Sequence, residues 1–528
     1  MTVKAVEISK VSTKGGFYLL WGIVISTVVS AVGVIILARI LQPQAYGLYT
    51  ITLAAPNLIG TFRDWGMNSA IVKYTAQYSA EENEERVREI LLAGLVFEII
   101  LGLGLSFLSF LLSGFIAADI FKRPISVLIQ VSSFTILAGA FLNAAQAAFT
   151  GREQMQPSSV TLVFQALFRS VLSPVLVYLG FGVSGAVVGY AAGMLGGGLV
   201  GFVLMLGIYK SLRKKNVFTE PLEVWKTMKF MFRYALPLSF SNIFVTFLTQ
   251  FYNFIIAIYA SNFLIGNYAV ANNFTVLLAF FATPIATMLF PAFSKLNADE
   301  DKETLKIVFK GSIKYSTLLL IPPTVAVIAL GTPLVSTLFG TKYASAPMFL
   351  ALLATQYLLT AFGSLSAGEL ISGQGKTRLY LELALVTMAI GVPLAILLVP
   401  TLHVVGLIIT MIFDGIPALV VSLYWIKKHY EASVDWVSSA KILFSSAAAG
   451  ALAYFAVSFI SLGNWAKLIT GLIVFAAGFL LIAIVTRTLR KPDIDSLRLV
   501  TSGIGPIGGI INKILKILER IVNALSIT

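Results

Sequence analysis

The sequence predicts an all-α polytopic membrane protein with about fourteen transmembrane helices, and three observations predict it. Of 528 residues, 58% are hydrophobic and 12% charged, against a soluble norm of roughly 45–50% apolar and 25% charged. Read with a window of about 19 residues, the apolar residues gather into about fourteen stretches separated by short polar breaks. Lysine and arginine then concentrate in alternate breaks. An ordinary soluble enzyme is excluded. The absence of cysteine excludes disulfides, thiolate metal sites and cysteine nucleophiles. His403 and His429 are the only imidazoles, so neither a histidine-rich metal centre nor a histidine proton relay is expected. The net charge of +14 would suit nucleic acid only on a folded basic domain, and no polar segment is long enough to build one.

Lys4, Lys10 and Lys14 precede the first apolar run, 15–38. It is longer than a signal-peptide core and lacks a small-residue cleavage site, so it reads as an uncleaved span. The others fall at about 46–62 with a polar extension to 78, then 90–117, 125–149, 157–180, 183–209, 234–259, 267–293, 311–338, 346–371, 379–399, 402–426, 442–461 and 465–486. Assigning the connections alternately puts about 32 of the basic residues on one side and about five on the other: Arg39, Lys122, Arg123, Lys342 and Lys467. Arg169 alone sits mid-span. The positive-inside rule then places both termini in the cytoplasm of a multi-pass cell-membrane protein.

The basic connection 210–233 divides the chain into an N-terminal six-helix bundle, 1–209, and a C-terminal one, 234–426. Two additional spans occupy 427–486, and 487–528 is a cytoplasmic tail. In that tail Ile511, Ile514, Leu515, Leu518, Val522 and Leu525 form an apolar stripe opposite Lys513, Lys516 and Arg520, which suits a helix lying on the leaflet. Shifting the second bundle by 219 residues lays Ile255, Ala257, Gly266 and Tyr268 on Ile36, Ala38, Gly47 and Tyr49, and a nearby offset lays Gly373 on Gly151. Because each bundle has an even number of spans, the repeat is parallel, about a pseudo-two-fold axis along the membrane normal. The sixth span carries Gly185, Gly189, Gly193, Gly197 and Gly201, a stripe that allows a neighbouring helix close. Prolines at 56, 174, 237, 284, 322, 323, 393 and 417 break other spans; bent helices around a wet cavity and a static pore both fit them.

Polar groups are costly in lipid, so each intramembrane one is a functional candidate. The second span sets Asn57, Thr61, Asp64 and Asn68 on one helical face. The fifth does the same with Ser158, Thr161, Gln165, Arg169 and Ser173, and the fourth adds Asn143, Gln146 and Thr150. A phosphate would be met by Arg169, Arg63, Lys73 or Lys14. The candidate ligand-binding residues are therefore Arg169, Asp64, Asn68, Gln165, Arg63, Lys73, Asn143 and Gln146. For Arg169 the alternative is a structural ion pair with Asp64 or Glu98. In the second half, the seventh span presents Asn242, Thr246, Thr249 and Asn253, and Glu369, Glu382 and Asp414 make the half acidic, as a cation site would require. For Glu98, Glu369 and Glu382, snorkelling or packing is the alternative. Asp493 and Asp495 spell D-x-D without a catalytic domain around them. No P-loop, kinase or serine-hydrolase signature is present, so no catalytic residue, bound metal or organic cofactor is expected.

The segment ILARILQPQAYGLYT, the D-x-G of Asp64 to Gly66 in RDWGMNSAIVKYTA, and the stretches PIATMLFPAFSKL, LFGTKYASAP and ISGQGKTR resemble the polysaccharide-biosynthesis, or oligosaccharide-flippase, branch of the MOP superfamily, related to lipid II flippases and MATE exporters. The resemblance implies two six-span bundles facing each other across a central cavity, through which lipid-linked oligosaccharide headgroups pass by alternating access. It also implies membrane lipids and glycan-assembly enzymes as partners. Lipid II flippases build a sodium site from acids and amides on spans seven, eleven and twelve; here Asn253, Glu382, Thr410 and Asp414 occupy those spans, without an acid on the seventh. Na+ or H+ is then the coupling ion to test. A cation-coupled exporter of amphipathic small molecules and an integral-membrane enzyme of glycan assembly are the alternatives.

Since the chain has no cysteine, single cysteines can be placed on a clean background. An impermeant maleimide added to intact cells should label within the connection 262–267 and spare the basic stretch 213–216; reversed labelling at both would overturn the orientation.

Overall fold

The computed structural model describes residues 3–212, 223–297 and 300–488. The expected amphipathic tail, Asp493 and Asp495, the connection 213–222 and the side chains of Lys14 and Asn242 lie outside the described residues. Every regular element among them is a helix: α1 (Val3–Gly60), α2 (Met67–Ala80), α3 (Glu84–Phe115), α4 (Ser126–Gly151), α5 (Met155–Leu176), α6 (Gly182–Ser211), α7 (Val224–Tyr259), α8 (Asn262–Ser294), α9 (Lys302–Ala329), α10 (Gly331–Leu338), α11 (Ala346–Ala354), α12 (Ser364–Gly373), α13 (Thr377–Phe413), α14 (Gly415–Tyr430), α15 (Trp436–Ser458) and α16 (Asn464–Val485). Hydrocarbon offers no partner to a peptide group, and the helix satisfies its own. Eight segments are apolar and long enough to cross a membrane, with a ninth if the pair Ala346–Phe362 and Ser364–Gly373, bent by 58° at Gly363, is one span. The chain is a multi-pass membrane protein.

Three of those segments run 43, 57 and 54 residues, against the ~20 residues that one crossing takes. Each folds back on itself. In α5 and α6 the glycine stripe records the hairpin: Gly189, Gly193, Gly197 and Gly201 lie against Ser173, Arg169, Gln165 and Thr161 in turn, and the chain reverses at Gly180 (φ 96) and Gly182 (φ 53). In α13 the backbone breaks at His403 (φ 50, ψ −124), so that Gly406 meets Leu398 and Gly391 meets the region of Asp414. The break in α1 is at Gln42 (φ 64, ψ 169). Its first arm runs parallel to α5, with Gly22 on Ser159 and Gly33 on Ser170. Its second arm runs parallel to α4, with the Thr52 carbonyl accepting from Ser132 and Gly60 on Ile136. Since α4 runs with α6, Gly198 on Ala138 and Gly201 on Ala145, it opposes α5, and the two arms of α1 are antiparallel.

The helices pack as two compact units. The first comprises Met1–Val270, Lys342–Ser345 and Ala384–Asp414. Its core gathers Met67, Ile71, Leu91, Phe149 and Met231 from α2, α3, α4 and α7. The second comprises Ala271–Thr341, Ala346–Leu383 and the chain from Gly415 onward. There Phe293, Phe309, Ile313, Leu370 and Ile426 form one cluster, and α15 and α16 pack on α9 through Gly450 against Val325 and Gly471 against Leu330. Glu431, in the turn before α15, accepts from Lys302 at 2.6 Å and Lys306 at 2.9 Å; these hydrogen bonds pull its carboxyl down to about 2.

The expected repeat is built into the packing. In the first unit Gly151 presses on Val72 and Thr75 of α2; in the second, Gly373 presses on Phe290, Phe293 and Ser294 of α8, the corresponding residues at a shift of about one repeat. In the first unit a Cβ at Gly47 would strike the Asn262 carbonyl, and one at Gly266 would strike the Pro43 carbonyl. Positions 43 and 47 are each 219 residues before 262 and 266, so the contact is reciprocal, as at a two-fold axis.

A buried ion pair fixes the turn after α1. Arg63 Nε donates to Glu98 at 3.0 Å, with the two side chains 12% and 0% exposed, and Nη1 donates to the Ile136 carbonyl at 3.3 Å. Replacing Glu98 by Gln should leave a buried guanidinium without its counter-charge and cost about 3–5 kcal/mol, seen as a lower Tm in detergent. The double change Arg63→Met, Glu98→Met should recover most of it. An unchanged Tm for Glu98→Gln would contradict a structural role.

Candidate functional site

The polar faces of α2 and α4 line an open cavity of about 450 Å³. Asn68, Ser69, Val72 and Lys73 line it from α2, and Asn143, Gln146, Ala147 and Thr150 from α4. Both sets follow the three- and four-residue spacing of one helical face. The D-x-G turn sets the register. Trp65 (φ 45) and Gly66 (φ 77) are left-handed, and Asp64 accepts from the Asn68 amide at 2.9 Å through its side chain and from the Met67 amide through its carbonyl. A side chain at Gly66 would lie 2.8 Å from the Ala235 carbonyl of α7, so glycine serves both the positive φ and the close approach.

Within the cavity each polar group has a distinct footing. The Lys73 ammonium sits 3.7 Å from the centroid of the Tyr234 ring and 4.9 Å from that of Tyr74, a cation–π cradle that holds the charge in place. Gln146 is tied to α5: its Nε2 donates to the Ser158 carbonyl at 3.2 Å, and its Oε1 accepts from the Ser158 hydroxyl. Asn68 Oδ1 is shielded from solvent and accepts no hydrogen bond among the described residues. Such an acceptor costs about 1–3 kcal/mol until a donor reaches it.

Four of the eight expected residues, Asn68, Lys73, Asn143 and Gln146, therefore converge on one cavity. Asp64 serves that cavity as the cap of α2, and Arg63 is held by Glu98. Arg169 is elsewhere in the first unit. Its guanidinium lies over the Tyr190 ring at 5.5 Å, Tyr190 meets Tyr49 edge-on at 6.3 Å, and Gln165, one turn earlier, donates to Met194 Sδ at 2.6 Å. The ion pair weighed for Arg169 is made by Arg63 instead, because Arg63 lies at the end of α1 where Glu98 of α3 passes.

Of the acidic set, the first unit holds Asn253, Thr410 and Asp414. Asp414 Oδ2 accepts from Tyr252 at 2.5 Å, Thr410 donates to the Gly406 carbonyl at 2.9 Å, and Asn253 donates to Gln250 at 3.4 Å. Glu382 belongs to the second unit, half-exposed and paired with Arg378 at 3.0 Å. Sequence spacing missed Tyr234, Tyr190 and Tyr252, the aromatic partners of Lys73, Arg169 and Asp414, because each lies on a different helix from the charge it meets. Only Tyr252 carried a local signal, its position next to Asn253.

A family model described as "Polysaccharide biosynthesis protein" matches residues 12–297. The chain is 20% identical over 409 residues to an uncharacterized membrane protein of Methanocaldococcus jannaschii, covering 74% of this chain and 80% of that one. It is 24% identical over 322 residues to the succinoglycan biosynthesis transport protein ExoT of Rhizobium meliloti, covering 60% of each. In fold it matches the lipid II flippase MurJ in an inward closed conformation, with a TM-score of 0.68, 15% identity, and coverage of 89% of this chain and 98% of that one. With more than half of its length matched by the family model, the chain belongs to the polysaccharide biosynthesis protein family.

Proposed function

We propose that this protein is a flippase, carrying the headgroup of a polyprenyl-phosphate- or polyprenyl-pyrophosphate-linked oligosaccharide from the cytoplasmic to the external leaflet by alternating access. The observation that carries this reading is the composition of the α2/α4 cavity. Asn68, Asn143 and Gln146 supply amides, Ser69 and Thr150 hydroxyls, and Lys73 a positive charge, with no carboxylate among the lining residues. Amides and hydroxyls match sugar hydroxyls in both donor and acceptor roles, and one fixed cation matches a phosphate. The family, the succinoglycan transport relative and the fold of a lipid II flippase support the same reading, and support transport without chemical conversion of the cargo.

On this reading the protein lies in the cell membrane with both termini cytoplasmic, and receives its cargo from the enzymes that assemble the glycan there. Fourteen crossings would follow on this reading if α7 and α8 are counted with the eight apolar segments, three of them hairpins, and the bent pair. The coupling ion is Na+ or H+, held near Asp414 with Thr410 and Asn253 of the same unit; Asp414 is buried, which favours a site reached through the protein.

In proteoliposomes, Lys73→Ala should weaken binding of a short polyprenyl-pyrophosphate disaccharide by about 10- to 100-fold, the loss of a charge-assisted contact, while Lys73→Arg keeps most of it. Asn68→Leu should weaken the disaccharide lipid and leave bare polyprenyl phosphate unaffected. Wild-type affinity in Lys73→Ala would remove the cavity as the headgroup site. Separately, Asp414→Asn should abolish any dependence of flipping on a sodium or proton gradient and leave disaccharide-lipid binding intact. Full gradient dependence in that variant would make the Tyr252–Asp414 contact a packing feature.

A further inference from the structure

The reciprocal Gly47–Gly266 contact is flanked by two side-chain latches that obey the same symmetry. Tyr343, in the break after α10, donates from its hydroxyl to the Ala38 carbonyl at 2.7 Å. Arg123, in the break before α4, donates to the Ala257 carbonyl, to the Ala260 carbonyl at 2.7 Å and to Asn262 Oδ1 at 2.8 Å. Ala38 and Ala257 are 219 residues apart, and Arg123 and Tyr343 are 220 apart. Each repeat thus sends one side chain, from its break after the third crossing, onto the same carbonyl of the other repeat's first crossing. All of these residues belong to the first compact unit.

The two latches are chemically unequal. Arg123 brings a full charge to the C-terminal end of α7, where unsatisfied carbonyls and the helix dipole favour a cation, and it spreads that charge over several acceptors. The hydrogen bond that Tyr343 donates to Ala38 is neutral, backed by an edge-on contact of its ring with Tyr46 at 6.5 Å. Bonds to a charged donor are about twice as strong as neutral ones.

The clasp also stands at the far end of α4 from the headgroup cavity. Arg123 precedes Ser126, where α4 starts, whereas Asn143, Gln146 and Thr150 lie in its last three turns. At 1.5 Å per residue, the separation along the helix is about 30 Å, the thickness of a hydrocarbon core.

We infer that the Arg123 and Tyr343 latches, closed over the Gly47–Gly266 crossing, form a paired clasp that shuts the face opposite the cavity, and that it opens unevenly, the Tyr343 latch releasing before the Arg123 latch. The direction of transport through it rests on the flippase reading; the clasp itself does not.

The test uses the full-length chain in proteoliposomes without substrate. Ile265, 1% exposed beside Gly266, is replaced by Cys on the cysteine-free background, and its alkylation by an impermeant maleimide is timed. Tyr343→Phe, which keeps the ring, should speed alkylation by about two- to fivefold, and Arg123→Lys by about tenfold, since lysine keeps the charge and loses the fork. Equal rates in the parent, Tyr343→Phe and Arg123→Lys would overturn the clasp. A larger effect from Tyr343→Phe than from Arg123→Lys would overturn the order of release. Because no lipid-linked sugar is present, these outcomes stand apart from those of the Lys73 variants.

Discussion

Helices in lipid gain little by hiding apolar side chains from one another, because the surrounding chains are as apolar as leucine. What holds them is close backbone approach and the polar contacts it permits, and this protein obtains that approach from glycine. The stripe from Gly189 to Gly201 lays α6 on α5, Gly22 and Gly33 lay the first arm of α1 on the same helix, and Gly151 and Gly373 repeat one contact in the two units. At Gly47 and Gly266 two backbones meet where any side chain would collide with a carbonyl. The remaining architecture, including the turn that starts α2, is arranged around these approaches.

The polar side chains divide by how they are satisfied. Arg63 and Glu98 neutralise each other, and Asp64 is consumed by the cap of α2. Lys73 and Arg169 instead rest on aromatic rings, which fix a cation without cancelling its charge. A cation held in that way is available to an anion that arrives later, and Lys73 has amides and hydroxyls beside it. The distinction between paired and ring-held cations separates scaffold from site more sharply than location in the membrane does.

Much of this was legible in the sequence. Hydropathy and charge bias specified an all-α membrane chain, and the 219-residue shift picked out Gly47 and Gly266 before their contact was known. Spacing on α4 chose Asn143 and Gln146, because an i, i+3, i+4 face survives from sequence into structure; the face drawn from Asn57 through Thr61 and Asp64 to Asn68 is instead broken by the left-handed turn between α1 and α2, and Lys73 was chosen by its charge. Partners on other helices were not legible: nothing local to Arg63 distinguishes it from Arg169, yet one meets Glu98 and the other Tyr190. Backbone breaks were only partly so. Gln42 and His403 reverse the chain without being glycine, and proline positions alone left bent helices around a wet cavity and a static pore undistinguished.

The central claim is that the α2/α4 cavity receives the sugar headgroup while the lipid tail stays in the bilayer. Its most direct test is a photo-reactive amino acid at position 143, illuminated in membranes loaded with a doubly labelled lipid-linked oligosaccharide. The account predicts an adduct at 143 carrying both labels and suppressed by excess unlabelled glycolipid, and no such suppressible glycolipid adduct when the same group replaces exposed Phe107 of α3. Capture of glycolipid at 107 but none at 143 would contradict it.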